Sequence, residues 1–230
     1  MFNSQDFGLK EGNLYEIIAT TYAITNNGKE IKPNASCMGI RMIEGEQIQI
    51  SPFYSTITYK NLKEHSTIAI NFVDDIYLYA LAALKEPDSP INLTDFPSKY
   101  YDFKYLESRA VDVPYINKAW AYLICEVSEQ LQKVKQSAVD VYKTTEFRLN
   151  ILFSKKLKKS FNLFNRADNL ALESIILATR MKVAKSTNNQ DLYKKFLAQL
   201  TSFINSIERF GSNRKALKAI NLVKRFIHIS

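Results

Sequence analysis

From about residue 160 to the end of this chain of 230 residues, the spacing of apolar residues differs from that of most of the preceding part. Before that point apolar side chains mostly alternate with polar ones, as in the run Ile48-Gln49-Ile50-Ser51. Beyond it they recur every three or four residues. Alternation is typical of β-strands, and the longer period is typical of amphipathic helices. We therefore predict an α+β fold, an antiparallel barrel or sheet followed by a small helical bundle.

The same patterns give approximate bounds for the elements. On the first C-terminal helix the expected buried stripe is Leu172, Ile175, Ile176, Thr179 and Val183. Strands are predicted over 14–23, 34–43, 47–51, 66–72, 119–127 and 139–152, and helices over 76–84, from 165, over 191–210 and over 213–227.

Residues 85–114 hold four of the six prolines, so we predict an irregular insertion there with one short helix near 98–106. The predicted division is a barrel domain over 1–155, which includes this insertion, and a helical subdomain over 156–230.

The charge is divided unevenly between the two parts. Residues 1–150 carry 15 Lys and Arg against 19 Asp and Glu, a net charge of −4, whereas residues 151–230 carry 16 against 4, a net charge of +12. A basic half can contact nucleic acid or simply be a solvated helical surface. Most of these bases are scattered over several helices and no nucleic-acid-binding motif accompanies them, so a nucleic-acid partner is the minor alternative.

Few residues are available for metal or disulfide chemistry. Cys37 and Cys125 both lie in strand-like contexts, and His65 and His228 are far apart. These spacings favour neither a disulfide framework nor a zinc site.

The chain has no apolar run long enough to span a membrane and no signal peptide at its start, so we expect a soluble cytoplasmic protein.

A hydroxyl-rich stretch follows the third predicted strand. Pro52 ends the strand, and Asn61-Leu62-Lys63-Glu64 is a plausible first helical turn. Hydroxyls and free N–H groups at a helix start form a site for an anion such as a cofactor phosphate. The alternative is a plain helix cap formed by Ser55 or Thr56. The polar residues of the stretch are Tyr54, Ser55, Thr56, Thr58, Tyr59 and Lys60.

Three segments together resemble the domain-of-unknown-function family 447, a mainly archaeal group. These are the runs 34–40 (Asn-Ala-Ser-Cys-Met-Gly-Ile), 55–62 (Ser-Thr-Ile-Thr-Tyr-Lys-Asn-Leu) and 70–75 (Ile-Asn-Phe-Val-Asp-Asp). Phe164-Asn165-Arg166-Ala167, followed by Glu173 and Ala178-Thr179-Arg180, is similar to the family's helical signature. Cys37 stands where the family pattern has proline, and residues 85–114 match poorly.

The resemblance implies a flavin-reductase-like split barrel that binds FMN, and a homodimer with FMN sites near the subunit interface. A flavin needs a phosphate anchor, N–H donors for its ring edge and a wall of small residues. The hydroxyl-rich stretch supplies the first, and residues 35–39 the others. The predicted cofactor-binding residues are Asn34, Ala35, Ser36, Met38, Gly39, Arg41, Ser55, Thr56, Thr58, Tyr59, Lys60, Asn61 and Asn71.

Catalytic residues do not emerge from the pattern. Asp74 and Asp75 point opposite ways on a strand, so a strand-end turn or helix cap is expected there. His65 is expected at the surface. Two function classes stay open: a flavin-dependent oxidoreductase with a nicotinamide or other small-molecule partner, and a non-enzymatic binding protein on the same scaffold, for which the basic helices offer a nucleic-acid contact.

Overall fold

The computed structural model describes residues 2–25, 30–136, 141–159, 166–210 and 213–228, with the backbone alone at 45, 134–136, 141–144 and 210. Within these residues the chain forms eight strands and five α-helices. The strands are β1 (Leu14–Thr25), β2 (Glu30–Ile43), β3 (Gln47–Ile50), β4 (Thr67–Phe72), β5 (Tyr101–Leu106), β6 (Val111–Ile116), β7 (Ala121–Gln136) and β8 (Val141–Lys156). The helices are α1 (Ile57–His65), α2 (Ile76–Ala83), α3 (Arg166–Ser186), α4 (Gln190–Phe210) and α5 (Arg214–Phe226).

Six strands close into an antiparallel barrel in the order β1-β2-β3-β8-β7-β4. The predicted α+β fold, an antiparallel barrel followed by helices, is confirmed. All six predicted strands are present, with bounds that shift by a few residues; of the predicted segment 139–152, residues 139 and 140 lie outside the described part of the chain. The barrel interior is apolar, and its largest side chains include Ile17, Ile40, Ile48, Ile50, Leu62, Ile68, Ile70, Leu123, Phe147 and Leu149.

Strand β1 is buried on both faces from Ile17 to Tyr22. One face lines the barrel core, and the other meets a second apolar layer around Tyr22, Ala69 and Tyr122. This layer lies beneath a two-stranded ribbon made of β5 and β6. A strand buried on both faces needs apolar or small residues throughout, which explains the continuous run Ile-Ile-Ala-Thr-Thr-Tyr at 17–22.

The ribbon corrects the prediction for residues 85–114. A short helix near 98–106 is wrong: only 98–100 form a single 3₁₀ turn, and 101–106 are strand β5. The irregular assignment is also wrong from 101 onward, because β5 and β6 pair from Tyr101↔Ile116 to Leu106↔Val111. Pro114 within β6 masked the signal. Proline is tolerated here because a two-stranded ribbon leaves alternate N–H groups outside the ladder.

The contacts divide the chain into two compact units. Unit 1 comprises Met1–Val73 and Ser98–Ser160 and contains the barrel and the ribbon. Unit 2 comprises Asp74–Pro97 and Phe161–Ser230, so residues 74–97 group with the C-terminal helices although they precede them by 60 residues or more. The sequence division at 155 and 156 placed that segment with the barrel.

Within unit 2, α3 packs against α2, α4 and α5. Asp75 caps α2 by accepting from Tyr77 N at 3.1 Å, as expected for a strand-end carboxylate. The predicted stripe on α3 is wrong at Val183, which is 61% exposed. The buried face carries small residues instead, including Ala171, Ser174, Ala178 and Ala184, because neighbouring helices approach closely there.

Candidate functional site

Helix α1 begins at Ile57, one turn earlier than predicted, and Thr56 is its N-cap. Thr56 Oγ1 accepts from Tyr59 N at 3.2 Å and donates to Phe53 O at 2.7 Å. The helix-cap hypothesis is therefore confirmed for Thr56. Leu62 anchors the helix in the barrel core. Ser and Thr are weak helix formers, but tertiary packing of one face decides where a helix forms, so residues 57–60 belong to the helix.

The start of α1 is hydrogen-bonded to strand β2. Thr58 Oγ1 donates to Ser36 Oγ at 3.0 Å, and Asn34 Nδ2 donates to Thr58 Oγ1 and to Ser36 Oγ at 3.3 Å each. Thr58 and Asn34 are 1% and 8% exposed. We call these three residues the Asn34–Thr58 cluster. One helical turn later, Asn61 Nδ2 donates to Thr21 Oγ1 of β1 at 3.1 Å. The cluster fixes where the N-terminus of α1 points.

The first turn of α1 carries no acidic side chain. Thr56 Oγ1 caps Tyr59 N, and helix geometry leaves the N–H groups that precede Tyr59 without main-chain partners inside the helix, which favours an anion there. Ser55 and Lys60 are exposed beside it. Phe53 and Ile57 are 56% and 54% exposed, so apolar surface flanks the same helix start.

One edge of strand β2, next to this helix start, has no paired strand over most of its length among the described residues. β3 pairs only with Arg41–Ile43, so the edge of β2 that faces away from β1 has no strand partner over residues 30–40 within the described part of the chain. Alternate N–H and C=O groups of such an edge can hydrogen-bond a ligand. This is the place where the sequence predicted donors for a flavin ring.

The side chains of β2 do not all face the same way. Met38 packs on the barrel core with Ile40, so strand alternation places Asn34 and Ser36 on that face. Ala35, Gly39 and Arg41 lie on the opposite face, and Ala35 is fully buried. A Cβ added at Gly39 would lie 2.7 Å from Leu14 Cδ1, so the glycine makes room for the neighbouring strand.

Two predicted residues lie away from the cluster. Arg41 Nη1 donates to Gly12 O at 2.7 Å, and Arg41 is five residues, about 17 Å, along the strand from Ser36. Asn71 is fully buried under the ribbon, where its Nδ2 donates to Ile18 O at 2.9 Å and to Thr20 Oγ1 at 3.0 Å. Tyr59 is half-buried and packs against Phe147 at a centroid distance of 5.9 Å.

His65, the last residue of α1, corrects the expectation of a surface position. Its side chain is only 14% exposed and stacks on Tyr22 with a centroid distance of 4.9 Å. Burial raises the pKa of Tyr22, and the Thr67 hydroxyl and the Arg109 charge offset part of that rise. Tyr22 therefore stays neutral at physiological pH and serves as packing surface at the C-terminal end of α1.

The described residues contain no group of three or more His, Cys, Asp or Glu that could hold a metal ion. Cys37 and Cys125 are free thiols, and burial raises the pKa of the Cys125 thiol well above its usual range. No helix among the described residues is long and apolar enough to cross a membrane.

A family model described as the N-terminal domain of a protein of unknown function (DUF447) matches residues 15–152. The chain belongs to this family. The match spans the barrel, the ribbon and every predicted site residue from Asn34 to Asn71. Phe164 and Asn165, from the helical signature, lie outside both the match and the described residues. Comparison with curated proteins gives no match.

The whole chain is similar to a solved structure of the DUF447 family, an FMN-bound protein from Methanosarcina mazei. The two share 21% identity over 96% of this chain and 98% of that one, with a TM-score of 0.72, which establishes the fold. A flavoredoxin from Methanosarcina acetivorans (15% identity, 67% and 76% covered, TM-score 0.44) and a styrene monooxygenase flavin reductase from Pseudomonas putida (15%, 62% and 81%, 0.42) are more distant.

Sequence reasoning missed three residues of this candidate site. Thr21 joins it through Asn61, and nothing in a buried strand marks one threonine for that role. Phe53 and Ile57 do carry a signal: both are apolar residues among polar ones in the segment that leads into the helix.

Proposed function

We propose that this chain is an FMN-binding flavoprotein whose cofactor phosphate binds at the N-terminus of α1. One observation carries the proposal: the Asn34–Thr58 cluster locks a helix start that has free N–H groups, an exposed hydroxyl at Ser55, an exposed cation at Lys60 and no acidic residue in its first turn. These groups suit a phosphate monoester dianion. That a family member from Methanosarcina mazei is FMN-bound supports the same cofactor.

The residues at the start of α1 have two different roles in the proposed site. Thr58 is buried and committed to Ser36, so it positions the helix, whereas Ser55 and Lys60 are exposed and would contact the phosphate. The edge of β2 that no described strand pairs with would bring backbone N–H groups of Ser36, Met38 or Gly39 to the flavin ring edge. When bound, FMN supplies the hydride or electron transfer itself.

We further propose an oxidoreductase role, with a nicotinamide or another small molecule as redox partner, and a homodimer with the FMN sites near the subunit interface. The exposed pair Phe53 and Ile57 supports the shared site, because apolar surface beside a phosphate anchor needs the flavin or a second subunit to cover it.

The test compares FMN with riboflavin, which has no phosphate. Apo protein and its Ser55→Ala/Lys60→Ala variant are titrated with both flavins. A lost charge-assisted contact is worth about 1.5–3 kcal/mol, so FMN affinity should fall roughly tenfold to a hundredfold while riboflavin affinity stays nearly unchanged.

Lys63→Ala is the matched control, because Lys63 lies on the same helix but near its other end, where it donates to Gln130 Oε1 at 2.8 Å. It should change neither affinity by more than about twofold, because a point charge at the far end of the helix is screened from the phosphate. If the affinities for FMN and riboflavin fall equally, the phosphate does not bind at the start of α1. If wild type binds neither flavin, the protein is not a flavoprotein.

A further inference from the structure

Unit 2 contains a cavity of about 390 Å³. Its walls come from four places in the chain: the loop that follows α2, the C-terminal ends of α3 and α5, and the first turn of α4. All of its lining residues belong to unit 2. Pockets that bind small molecules measure about 300–1,000 Å³, so the cavity is large enough for a small ligand. The chemistry of its lining indicates which kind.

The inner wall of the cavity is apolar. Met181 on α3 and Phe226 on α5 line it and are 1% and 8% exposed, so the packing of the two helices holds both side chains in place. Pro90 and Ile227 add apolar surface nearer solvent. This wall favours an apolar group of a ligand, because contact with it removes apolar surface from water.

The lining also carries two carboxylates and two ammonium groups. Glu86 and Lys182 form an ion pair with each other. Asp88 and Lys185 are exposed and line the same cavity, and among the described residues neither side chain has an ion pair or a hydrogen bond. The cavity therefore presents one carboxylate and one ammonium group that are available to a ligand.

The backbone that carries these two groups is fixed by the fold. Asp88 lies in a loop that is closed by two hydrogen bonds, from Glu86 N to Leu93 O at 3.0 Å and from Ser89 N to Glu86 O at 3.2 Å. Lys185 lies in the last turn of α3. A ligand that binds both groups orders two side chains and no backbone, which keeps the entropic cost of binding low.

We propose that this cavity binds a free α-amino acid with an apolar side chain, such as leucine or methionine. Its ammonium group would bind Asp88, its carboxylate would bind Lys185, and its side chain would lie against Met181 and Phe226. A zwitterion supplies a partner for each charge, whereas a ligand with a single charge leaves Asp88 or Lys185 without one.

The first test uses three ligands of similar shape. L-leucine carries both charges, isocaproate lacks the ammonium group and isoamylamine lacks the carboxylate. Saturation-transfer NMR on the full chain measures their dissociation constants, and leucine should bind with a value below about 1 mM. Each analogue forgoes one charge-assisted contact and should bind about tenfold more weakly. Glycine, which has both charges but no apolar side chain, should also bind at least about tenfold more weakly than leucine.

The second test matches each charge of the ligand to one residue. Asp88→Asn should weaken leucine about tenfold and leave the affinity for isocaproate within about twofold, because isocaproate has no ammonium group. Lys185→Gln should weaken leucine and isocaproate about tenfold and leave isoamylamine within about twofold, because isoamylamine has no carboxylate. A purely structural role of either residue would change all three affinities alike.

Asp95→Asn and Lys218→Gln are the matched controls. Both residues are exposed in unit 2, one in the same loop as Asp88 and one on α5, and neither lines the cavity. They should leave all three affinities unchanged, and circular dichroism checks that every variant is folded.

A wild type that binds neither leucine nor methionine with a dissociation constant below about 10 mM would overturn the proposal. So would isocaproate or isoamylamine that binds as tightly as leucine, or a folded Asp88→Asn variant that binds leucine like wild type. The proposal does not depend on flavin binding: FMN and leucine are titrated separately, and the failure of one titration leaves the other result standing.

Discussion

Asn71 and Asn34 are both buried asparagines of the barrel unit, but their side chains hydrogen-bond different parts of the structure. The amide hydrogens of Asn71 go to Ile18 O and Thr20 Oγ1, and its Oδ1 accepts from Ile116 N at 2.8 Å. Asn34 instead donates to the hydroxyls of Ser36 and Thr58. The first joins backbone groups of β1 and β6, and the second joins β2 to the start of a helix.

The difference lies in which groups each amide joins. An asparagine has two N–H donors and one acceptor oxygen, and Asn71 uses both donors within the protein at 0% exposure. It holds the ribbon on the barrel and has no free donor for a ligand. Asn34 also uses both donors within the protein, but it donates them to the hydroxyl groups of Ser36 and Thr58, and Thr58 lies in the first turn of α1.

The largest loss of stability is expected when Asn71 is replaced. In Asn71→Leu the buried Ile116 N–H and Ile18 carbonyl lose their partner, which should lower the free energy of unfolding by about 4 kcal/mol. Urea unfolding followed by circular dichroism measures it. Asn221→Leu, an exposed asparagine on α5, should cost less than about 0.5 kcal/mol. Equal losses for the two variants would contradict the structural role of Asn71.

A smaller effect is expected in the cluster. Thr58→Val keeps the shape and removes the hydroxyl, so it should cost about 2 kcal/mol of unfolding free energy. Ser36→Ala shares the same hydrogen bond, so adding it to Thr58→Val should cost less than it does alone. The exposed Thr201→Val on α4 is the matched control. Strictly additive losses for Thr58→Val and Ser36→Ala would show that the cluster is not a unit.

These two asparagines also show which features of the structure could be predicted from the sequence and which could not. The strands around Ile17 and Ile70 were predictable because continuous apolar runs have few other solutions. The roles of Asn71 and Asn34 were not, because both depend on partners supplied by other segments. Asn71 meets Ile116, 45 positions away, and Asn34 meets Thr58, 24 positions away.

Two other misses have local causes. The ribbon escaped prediction because Pro114 breaks a strand pattern, although its own carbonyl accepts from Thr20. At Gly39 an added side chain would meet the Leu14 side chain, and the predicted flavin contact of Gly39 stays a prediction. At both residues tertiary packing decides which group the residue meets.

The smallest effect separates capping from binding at two adjacent hydroxyls. Thr56 accepts from Tyr59 N as the N-cap of α1, so Thr56→Ala should lower the free energy of unfolding by about 1 kcal/mol. Ser55 is exposed, and Ser55→Ala should change stability by less than about 0.5 kcal/mol. Thermal unfolding of the apo proteins measures both.

In flavin titrations the order should reverse. Ser55→Ala should lower the affinity for FMN and leave the affinity for riboflavin unchanged, because only Ser55 has its hydroxyl in the proposed phosphate site. Thr56→Ala should lower the affinity for both flavins slightly, because the start of the helix frays. A stability loss at Ser55 equal to that at Thr56, with no preference between the flavins, would assign both hydroxyls to capping and leave Lys60 and the helix N–H groups as the phosphate anchor.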